Sequence, residues 1–336
     1  MILTVPRLLF WLALSLVAVD IAWACLVHFD IDRAAYLRLA LLALGLFAGG
    51  LVYQTIRPDP ALAAMLMGAS FLTAFSAAAS VLNYFLLTVA GPRIDGLLSA
   101  ADHALGFDWY RVMLAMARHP FLNGIFFQVY NLILPEIALV LIALAWSGQV
   151  EKVYRFCLAI AVGALIAIAI WTLAPSFGAM SLFTLPPAIA GKLTLAVTCD
   201  YGRALVQLLH NGPGHITPAD LRGLIAFPSY HGVLALILAW YAWRVSWLRW
   251  PILAINAVVL ICTPIQGGHH MVDVLAAFPV TALTLFLAES GKLKVLVNNR
   301  QILTLAVVPT GVFRAAAAQE CVNGGDAIKP VLNSLP

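Results

Sequence analysis

Long apolar runs alternate with short polar breaks along most of this chain. A helix that crosses a bilayer needs about 20 mostly apolar residues, and about eight stretches meet that requirement. The pattern therefore predicts an all-α fold, a polytopic bundle of transmembrane helices. The stretches lie near residues 8–28, 35–56, 61–89, 122–147, 153–174, 228–247, 250–266 and 268–289.

Three segments depart from this pattern. Residues 91–120 mix aspartates and arginines with apolar residues, which is typical of amphipathic helices on a membrane surface. Residues 175–227 contain prolines, glycines and scattered charges, and they predict a partly helical extracytoplasmic cap. Beyond Glu289 the periodicity fades, so residues 291–336 are expected to form a C-terminal cytoplasmic tail.

The first apolar run has features of a signal peptide. Arg7 precedes it, and Ala22-Trp23-Ala24 resembles a cleavage site. The run is long for the apolar part of a signal peptide, so we expect a retained first span.

Composition supports the membrane interpretation. Hydrophobic residues make up 63% of the chain, charged residues make up 10%, and the mean hydropathy is +0.96. A soluble domain could not bury so much apolar surface. The net charge of +4 is small and dispersed, which argues against a nucleic-acid partner. The five cysteines show no CxxC spacing, which argues against a disulfide framework or a zinc knuckle.

One short motif, GGHHMVD at 267–273, combines imidazole, carboxylate and glycine at the start of an apolar run. His269 and Asp273 are four residues apart and would share one helix face. The carboxylate could then fix the imidazole tautomer and leave the second nitrogen as a nucleophile. His270 has Val274 as its fourth neighbour and is the less favoured candidate. Gly267 and Gly268 would let the backbone approach a phosphate, and the helix start offers N–H groups to an anion.

A second motif, FPSYHG at 227–232, places His231 in the predicted first turn of another span. Pro228 suits such a turn, and Ser229 is a further candidate phosphate ligand. A second imidazole facing His269 could protonate a leaving oxygen. The two motifs together predict phosphoryl transfer without a metal or a cofactor.

Helix counting places both histidines on one membrane face, because the spans that carry them run in the same direction. The opposite face receives basic residues such as Arg57, Lys152 and Arg155, which favour the cytoplasm. We therefore expect an integral membrane protein of a bacterial inner membrane with its site facing the periplasm. In a eukaryote the same face would be lumenal.

Two other functions fit parts of the pattern. Asp20 and Glu136 fall within apolar runs and could form an ion path with the histidines, as in a proton- or ion-coupled transporter. Imidazole and carboxylate also suit zinc, which predicts a metal-dependent hydrolase. Its candidate ligands are His231, His269, His270 and Asp273.

The two histidine motifs also resemble those of a known family. PSYH and HHMVD are similar to the second and third motifs of the type 2 phosphatidic acid phosphatase superfamily. The closer resemblance is to the branch of inositolphosphorylceramide synthases and inositolphosphotransferases. It rests on FPSYHG, TPIQGGHHMVDVLAA at 263–277, APSFGAM at 174–180 and IDGLLSAADHALGFDW at 94–109. The resemblance covers residues 91–290, while the N-terminal helices of residues 1–90 carry no recognised motif.

This resemblance implies a core of about six helices and an enzyme that needs no metal. His269 would form a phosphohistidine, Asp273 would orient it, and His231 would protonate the leaving group. The substrate would be a lipid phosphate or phospholipid at the outer face. Water or the alcohol of another lipid would accept the phosphoryl group.

The chain departs from the superfamily where phosphate-binding cations are usual. The first motif, a lysine followed by Arg-Pro, is not found at its expected place. Thr263 stands six residues before His269, where an arginine is usual. Substitute cations are expected in the cap, first Arg222 and then Arg203 and Lys192.

Overall fold

The computed structural model describes residues 5–26, 30–212, 215–218 and 223–290. Arg222 and the predicted tail at 291–336 lie outside them.

The described chain is almost entirely helical, as the apolar pattern predicts. Two two-residue strands, β1 (Asp30–Ile31) and β2 (His215–Ile216), pair in parallel, and 3-10 turns occur at Leu86–Val89 and Ala179–Ser181. The helices are α1 (Val5–Leu26), α2 (Arg33–Thr55), α3 (Pro60–Phe85), α4 (Asp95–Ala104), α5 (Trp109–Met116), α6 (Pro120–Tyr130), α7 (Ile133–Trp146), α8 (Val150–Leu173), α9 (Pro187–Ala190), α10 (Cys199–Asn211), α11 (Tyr230–Ala242), α12 (Arg249–Gln266) and α13 (Met271–Glu289).

The number of candidate spans is six or seven rather than eight. In the described residues, six helices are long and apolar enough to cross a membrane: α1, α2, α3, α8, α12 and α13. The predicted fourth span is broken into α6 and α7, which meet at 44° and could together form a seventh. The predicted sixth span is represented by α11, which has 13 residues and is shorter than a bilayer requires.

Pro135 accounts for the break between α6 and α7. A proline has no N–H to donate to the carbonyl four residues earlier, which here belongs to Asn131. The Asn131 side chain donates to the carbonyl of Phe127, at 2.7 Å, within the last turn of α6. The chain thus changes direction close to Tyr130, the last residue of α6.

The bundle packs around α8, which contacts α3, α7, α11 and α13. Small residues let these helices approach closely. A Cβ added to Gly163 of α8 would lie 3.0 Å from Val233 of α11, and one on Gly232 would lie 2.9 Å from Ala277 of α13. The N-terminal helices join this core through α3, which packs against both α2 and α8, and through a direct contact of α1 with α8.

Ion pairs and hydrogen bonds fasten the end of the bundle where α8 begins and α11 and α13 end. Lys152 Nζ lies 2.7 Å from Glu289 Oε2, and Arg155 donates to the carbonyl of Ala288 at 2.7 Å. Gln149 donates to the carbonyl of Arg244 at 3.0 Å. The starts of α11 and α13, with both histidine motifs, lie at the opposite end.

Gly68 provides a test of this packing. A Cβ there would lie 3.1–3.3 Å from side chains of α7 and α8, so Gly68→Leu should overpack the α3–α8 contact. We expect it to destabilise the fold by about 1–3 kcal/mol, measured as a lower thermal midpoint in detergent. Gly45→Leu on α2 is the matched control, because a Cβ there meets nothing within 4 Å. Equal losses in the two variants would contradict the predicted packing.

Candidate active site

His269 lies in the short loop between α12 and α13, two residues before α13 begins at Met271, whereas the span predicted at 268–289 included it. Its Nδ1 is 3.1 Å from the carbonyl oxygen of Ala226 and 3.3 Å from Asp273 Oδ2. Both neighbours are acceptors, so Nδ1 carries the hydrogen and Nε2 keeps its lone pair. The predicted contact between His269 and Asp273 is therefore present, although it spans the start of α13 rather than one face of it.

His231 lies in the first turn of α11, as predicted, while Pro228 stands just before the N-cap residue Ser229. The ring of His231 stacks on Tyr130 with 4.4 Å between centroids and an interplanar angle of 10°. Tyr130 also reaches His269, because a Cβ added to Gly267 would lie 2.6 Å from both the Tyr130 hydroxyl and His269 Cδ2. Tyr130 and Gly267 thus connect the two histidines.

His270 is buried between two aspartates, whereas its register had made it the less favoured histidine. Its Nδ1 lies 3.3 Å from Asp102 Oδ2 and its Nε2 lies 3.8 Å from Asp95 Oδ1. Its backbone N–H donates to Asp273 Oδ2 at 2.9 Å. His270 therefore links α4 to the start of α13, and its ring nitrogens face these carboxylates.

Asp102 holds the start of α13 from outside that helix. Its two carboxylate oxygens accept from the backbone N–H groups of Met271 and Val272, each at 3.0 Å. Helix starts attract negative charge because these N–H groups have no partner within the helix. The N–H groups that the sequence offered to an anion are thus already bound to Asp102.

Asp95 holds the loop at 174–180, where the predicted cap begins. Its Oδ1 accepts from Ser176 Oγ at 2.8 Å, from Phe177 N–H at 2.9 Å and from Gly178 N–H at 3.0 Å. Arg93 pairs with Asp95 Oδ2 at 2.6 Å and donates to Ser181 at 2.7 Å. Because Arg93 is paired with Asp95, its charge is already compensated.

The pKa values of the loop residues follow from these contacts. Burial lowers the pKa of His269 to about 4, which keeps its imidazole neutral near pH 7. Burial also lowers the pKa of His270, but the nearby carboxylates of Asp95, Asp273 and Asp102 outweigh it and raise that pKa overall. Burial opposes ionisation of Asp95, yet its contacts with His270, Ser176 and Arg93 bring its pKa below the usual value. The two adjacent histidines thus have opposite electrostatic environments.

A protein-family model described as the PAP2 superfamily matches residues 96–287. The chain belongs to the PAP2 superfamily. No curated protein and no solved structure matches the chain. As a PAP2 superfamily protein it is an integral membrane enzyme of the phosphatase type, and the family implies lipid phosphate substrates.

No contact within the described residues joins the cations proposed as substitute phosphate ligands to His231 or His269. Arg203 pairs with Asp200 on the exposed face of α10, and Lys192 is exposed in the cap. Arg222 lies outside the described residues. Thr263, at the usual arginine position, is fully buried and donates to the carbonyl of Val259 at 2.7 Å.

The smaller predicted phosphate ligands lie close to the histidines. Gly267 and Gly268 are buried beside His269. Ser229 is fully buried, its Oγ accepts from the N–H of Gly232 at 3.2 Å, and its own N–H donates to the carbonyl of Asp273 at 2.9 Å. Ser229 thereby joins the starts of α11 and α13.

The residues that the sequence suggested for zinc binding or ion transport do not form a common cluster. No group of three His, Cys, Asp or Glu side chains within the described ranges is placed to hold a metal ion. Glu136 on α7 accepts from Asn256 on α12 at 2.6 Å, which is a contact between neighbouring helices. Asp20 is buried within α1.

Sequence reasoning assigned no role to Asp95, Asp102 or Tyr130. A signal was present for the aspartates, because Asp95, Leu98 and Asp102 recur at helical spacing and form the buried face of α4. Charged residues on an amphipathic helix are normally expected to face solvent. Tyr130 had no such signal, because it lies within the apolar run at 122–147 among other aromatic residues.

Asp102→Asn should weaken the attachment of α13. An asparagine has one acceptor oxygen, and its NH₂ would face a backbone N–H that the carboxylate now binds. We expect a destabilisation of about 1–3 kcal/mol, measured as a lower thermal midpoint in detergent. Asp200→Asn is the control, because that side chain is 84% exposed. An unchanged midpoint for Asp102→Asn would contradict the role of this carboxylate.

Proposed function

We propose that this PAP2 superfamily protein transfers the phosphoryl group of a lipid phosphate or phosphodiester through a phosphohistidine on His269. The observation that carries the proposal is the environment of Nδ1 of that residue, between the carbonyl of Ala226 and the carboxylate of Asp273. These two acceptors hold the hydrogen on Nδ1 and leave Nε2 as the nucleophilic atom. The depressed pKa of His269 keeps the ring unprotonated at neutral pH.

The reaction has two steps. In the first, the Nε2 lone pair of His269 bonds to phosphorus, the bond to the leaving oxygen breaks, and His231 donates a proton to that oxygen. In the second, His231 takes a proton from water or a lipid alcohol, whose oxygen bonds to phosphorus and releases His269. The stacking of His231 on Tyr130 supports this role, because it orients the imidazole in the first turn of α11.

A lipid substrate fits the position of these residues in the bundle. His269 lies two residues before the candidate span α13, and His231 lies in the first turn of the apolar helix α11 at the same end. A phosphate at this depth belongs to a headgroup whose acyl chains can remain in the bilayer. The basic residues at the other end of the helices favour the cytoplasm, so we propose that the site faces the periplasm of a bacterial inner membrane.

The choice of substrate and of acceptor is tested with purified protein and radiolabelled lipids. A panel of lipid phosphates and phosphodiesters is incubated with and without a lipid alcohol, and products are separated by chromatography. Labelled inorganic phosphate or a free phosphorylated headgroup indicates hydrolysis, whereas a new labelled lipid indicates transfer. Transfer from an inositol phospholipid to a ceramide-like alcohol is the outcome that the synthase-like motifs favour. Persistence of activity in EDTA would count against a zinc enzyme.

His269→Ala should abolish both turnover and the covalent intermediate, because it removes the Nε2 atom that forms the phosphohistidine. His231→Ala should still be phosphorylated by substrates with good leaving groups, since such groups need no proton. Asp273→Asn should slow phosphorylation without preventing folding. Acid-labile phosphate on the protein is measured after rapid quenching, with His103→Ala, an exposed histidine of α4, as the control. Wild-type turnover by His269→Ala would refute the mechanism.

The low pKa of His269 predicts the pH dependence of phosphorylation. The imidazole is nucleophilic only when neutral, so the rate should stay high as pH falls and should decline near pH 4 rather than near 6.5. The His231→Ala variant with a nitrophenyl phosphodiester isolates this effect, because this substrate has no second ionisation and needs no general acid. A decline centred near the ordinary histidine pKa would contradict the assigned environment.

A further inference from the structure

The Gly267–Gly268 turn contains backbone donors that no protein group uses. Gly267 has helical dihedral angles, φ −92° and ψ −4°, and Gly268 has φ +63°. A right-handed residue followed by a left-handed one turns successive N–H groups toward a common point, an arrangement that binds anions. Gly267 N–H donates to the carbonyl of Thr263 at 2.9 Å. In the described part of the chain, the N–H groups of Gly268 and His269 have no acceptor.

These two N–H groups belong to buried residues, since Gly268 and His269 are both inside the protein. Buried backbone N–H groups almost always have a hydrogen-bond partner. Met180 N–H binds the carbonyl of Gly268 at 3.2 Å, which fixes this turn against the loop at 174–180. The carbonyl of Gly268 therefore holds the turn in place, while the N–H groups of Gly268 and His269 are available to a ligand.

The Tyr130 hydroxyl is the second observation at this place. Its side chain is only 5% exposed, and its oxygen would lie 2.6 Å from a Cβ added to Gly267. It has no hydrogen-bond partner among the described residues. A buried phenol normally finds a partner for its hydroxyl, so this group is also a donor available beside His269.

We propose that the Tyr130 hydroxyl and the N–H groups of Gly268 and His269 bind the non-bridging oxygens of the transferred phosphoryl group. This inference rests on the proposed function and adds to it the groups that receive the phosphate. Neutral donors would then bind the phosphate, which the buried Thr263 and the paired Arg93 are not placed to do. A preorganised set of such donors stabilises charge that develops in a transition state.

The two glycines are required for different reasons. A side chain at 267 would collide with the Tyr130 hydroxyl and with the ring of His269. A side chain at 268 would need φ +63° and would lie 2.5 Å from the sulfur of Met180. Glycine at both positions therefore preserves the turn and the close approach of Tyr130 to it.

Tyr130→Phe tests the hydroxyl, with orthovanadate as the probe for the phosphoryl site. The variant keeps the ring that stacks on His231 and loses one hydrogen bond to a charged ligand, so vanadate inhibition should weaken about ten- to hundredfold. Tyr154→Phe is the matched control, because it removes a buried hydroxyl whose contact is Met67, on α3. Thermal midpoints show whether each variant is folded.

Inhibition of Tyr130→Phe within twofold of the wild type would overturn the role of the hydroxyl. Tyr130→Leu, which removes the ring as well as the hydroxyl, separates stacking on His231 from hydrogen bonding to the phosphate. If only the stacking on His231 mattered, Phe would behave as wild type and Leu would lose activity, which also contradicts the proposal.

Isotope labelling tests the backbone donors directly. Protein made with carbonyl-¹³C glycine and ¹⁵N histidine gives selected amide signals for two peptide bonds, Gly268–His269 and Gly214–His215. Vanadate should shift the His269 amide and leave the His215 amide as an internal control. An unshifted His269 amide at vanadate concentrations that inhibit turnover, or no vanadate binding by the wild type, would overturn the proposal.

The failure of this inference is distinguishable from failure of the proposed function. In one outcome, the wild type forms a phosphohistidine while Tyr130→Phe binds vanadate as tightly as the wild type does. That result supports the proposed function and refutes the phosphate pocket. A wild-type protein that forms no phosphohistidine with any lipid of the panel loses both.

Discussion

The site depends on two buried carboxylates that α4 presents to the loops around the histidines. Asp102 binds the first N–H groups of α13, and Asp95 binds the loop at 174–180. His270 lies between them, so the two aspartates and the imidazole compensate one another's charge. Breaking such a network leaves buried charge unpaired, which is more costly than the loss of a surface ion pair. The position of His269, one residue before His270, follows from this network.

The rest of the bundle fixes the positions of the two histidine motifs. At one end, Lys152, Arg155 and Gln149 attach the start of α8 to the ends of α13 and α11. At the other end, Ser229 binds the backbone of Asp273 and joins the starts of α11 and α13. Helices fastened at both ends have little freedom to slide. Catalytic groups on different helices need this restraint, because small displacements cost rate.

The departures from the usual PAP2 motifs acquire a physical meaning in this arrangement. The position expected to hold an arginine is a buried threonine bonded within its own helix. Arg93, which donates to Ser181 just after the loop at 174–180, is paired with Asp95. The proposed phosphate pocket therefore uses a phenol and backbone amides, and its strength comes from burial and orientation rather than net charge.

The class of fold and the main catalytic candidates follow from the amino-acid sequence alone. Apolar runs require helices in a membrane, and the HxxxD spacing brings His269 and Asp273 together through a few intervening residues. Four features appear only in the folded structure. They are the break after Tyr130, the short α11, the central position of His270 and the contact of Tyr130 with Gly267. The periodicity of apolar residues indicates which face of its own helix a residue occupies. Contacts such as Asp102 with Met271 join residues far apart in the chain, so they depend on how whole helices pack.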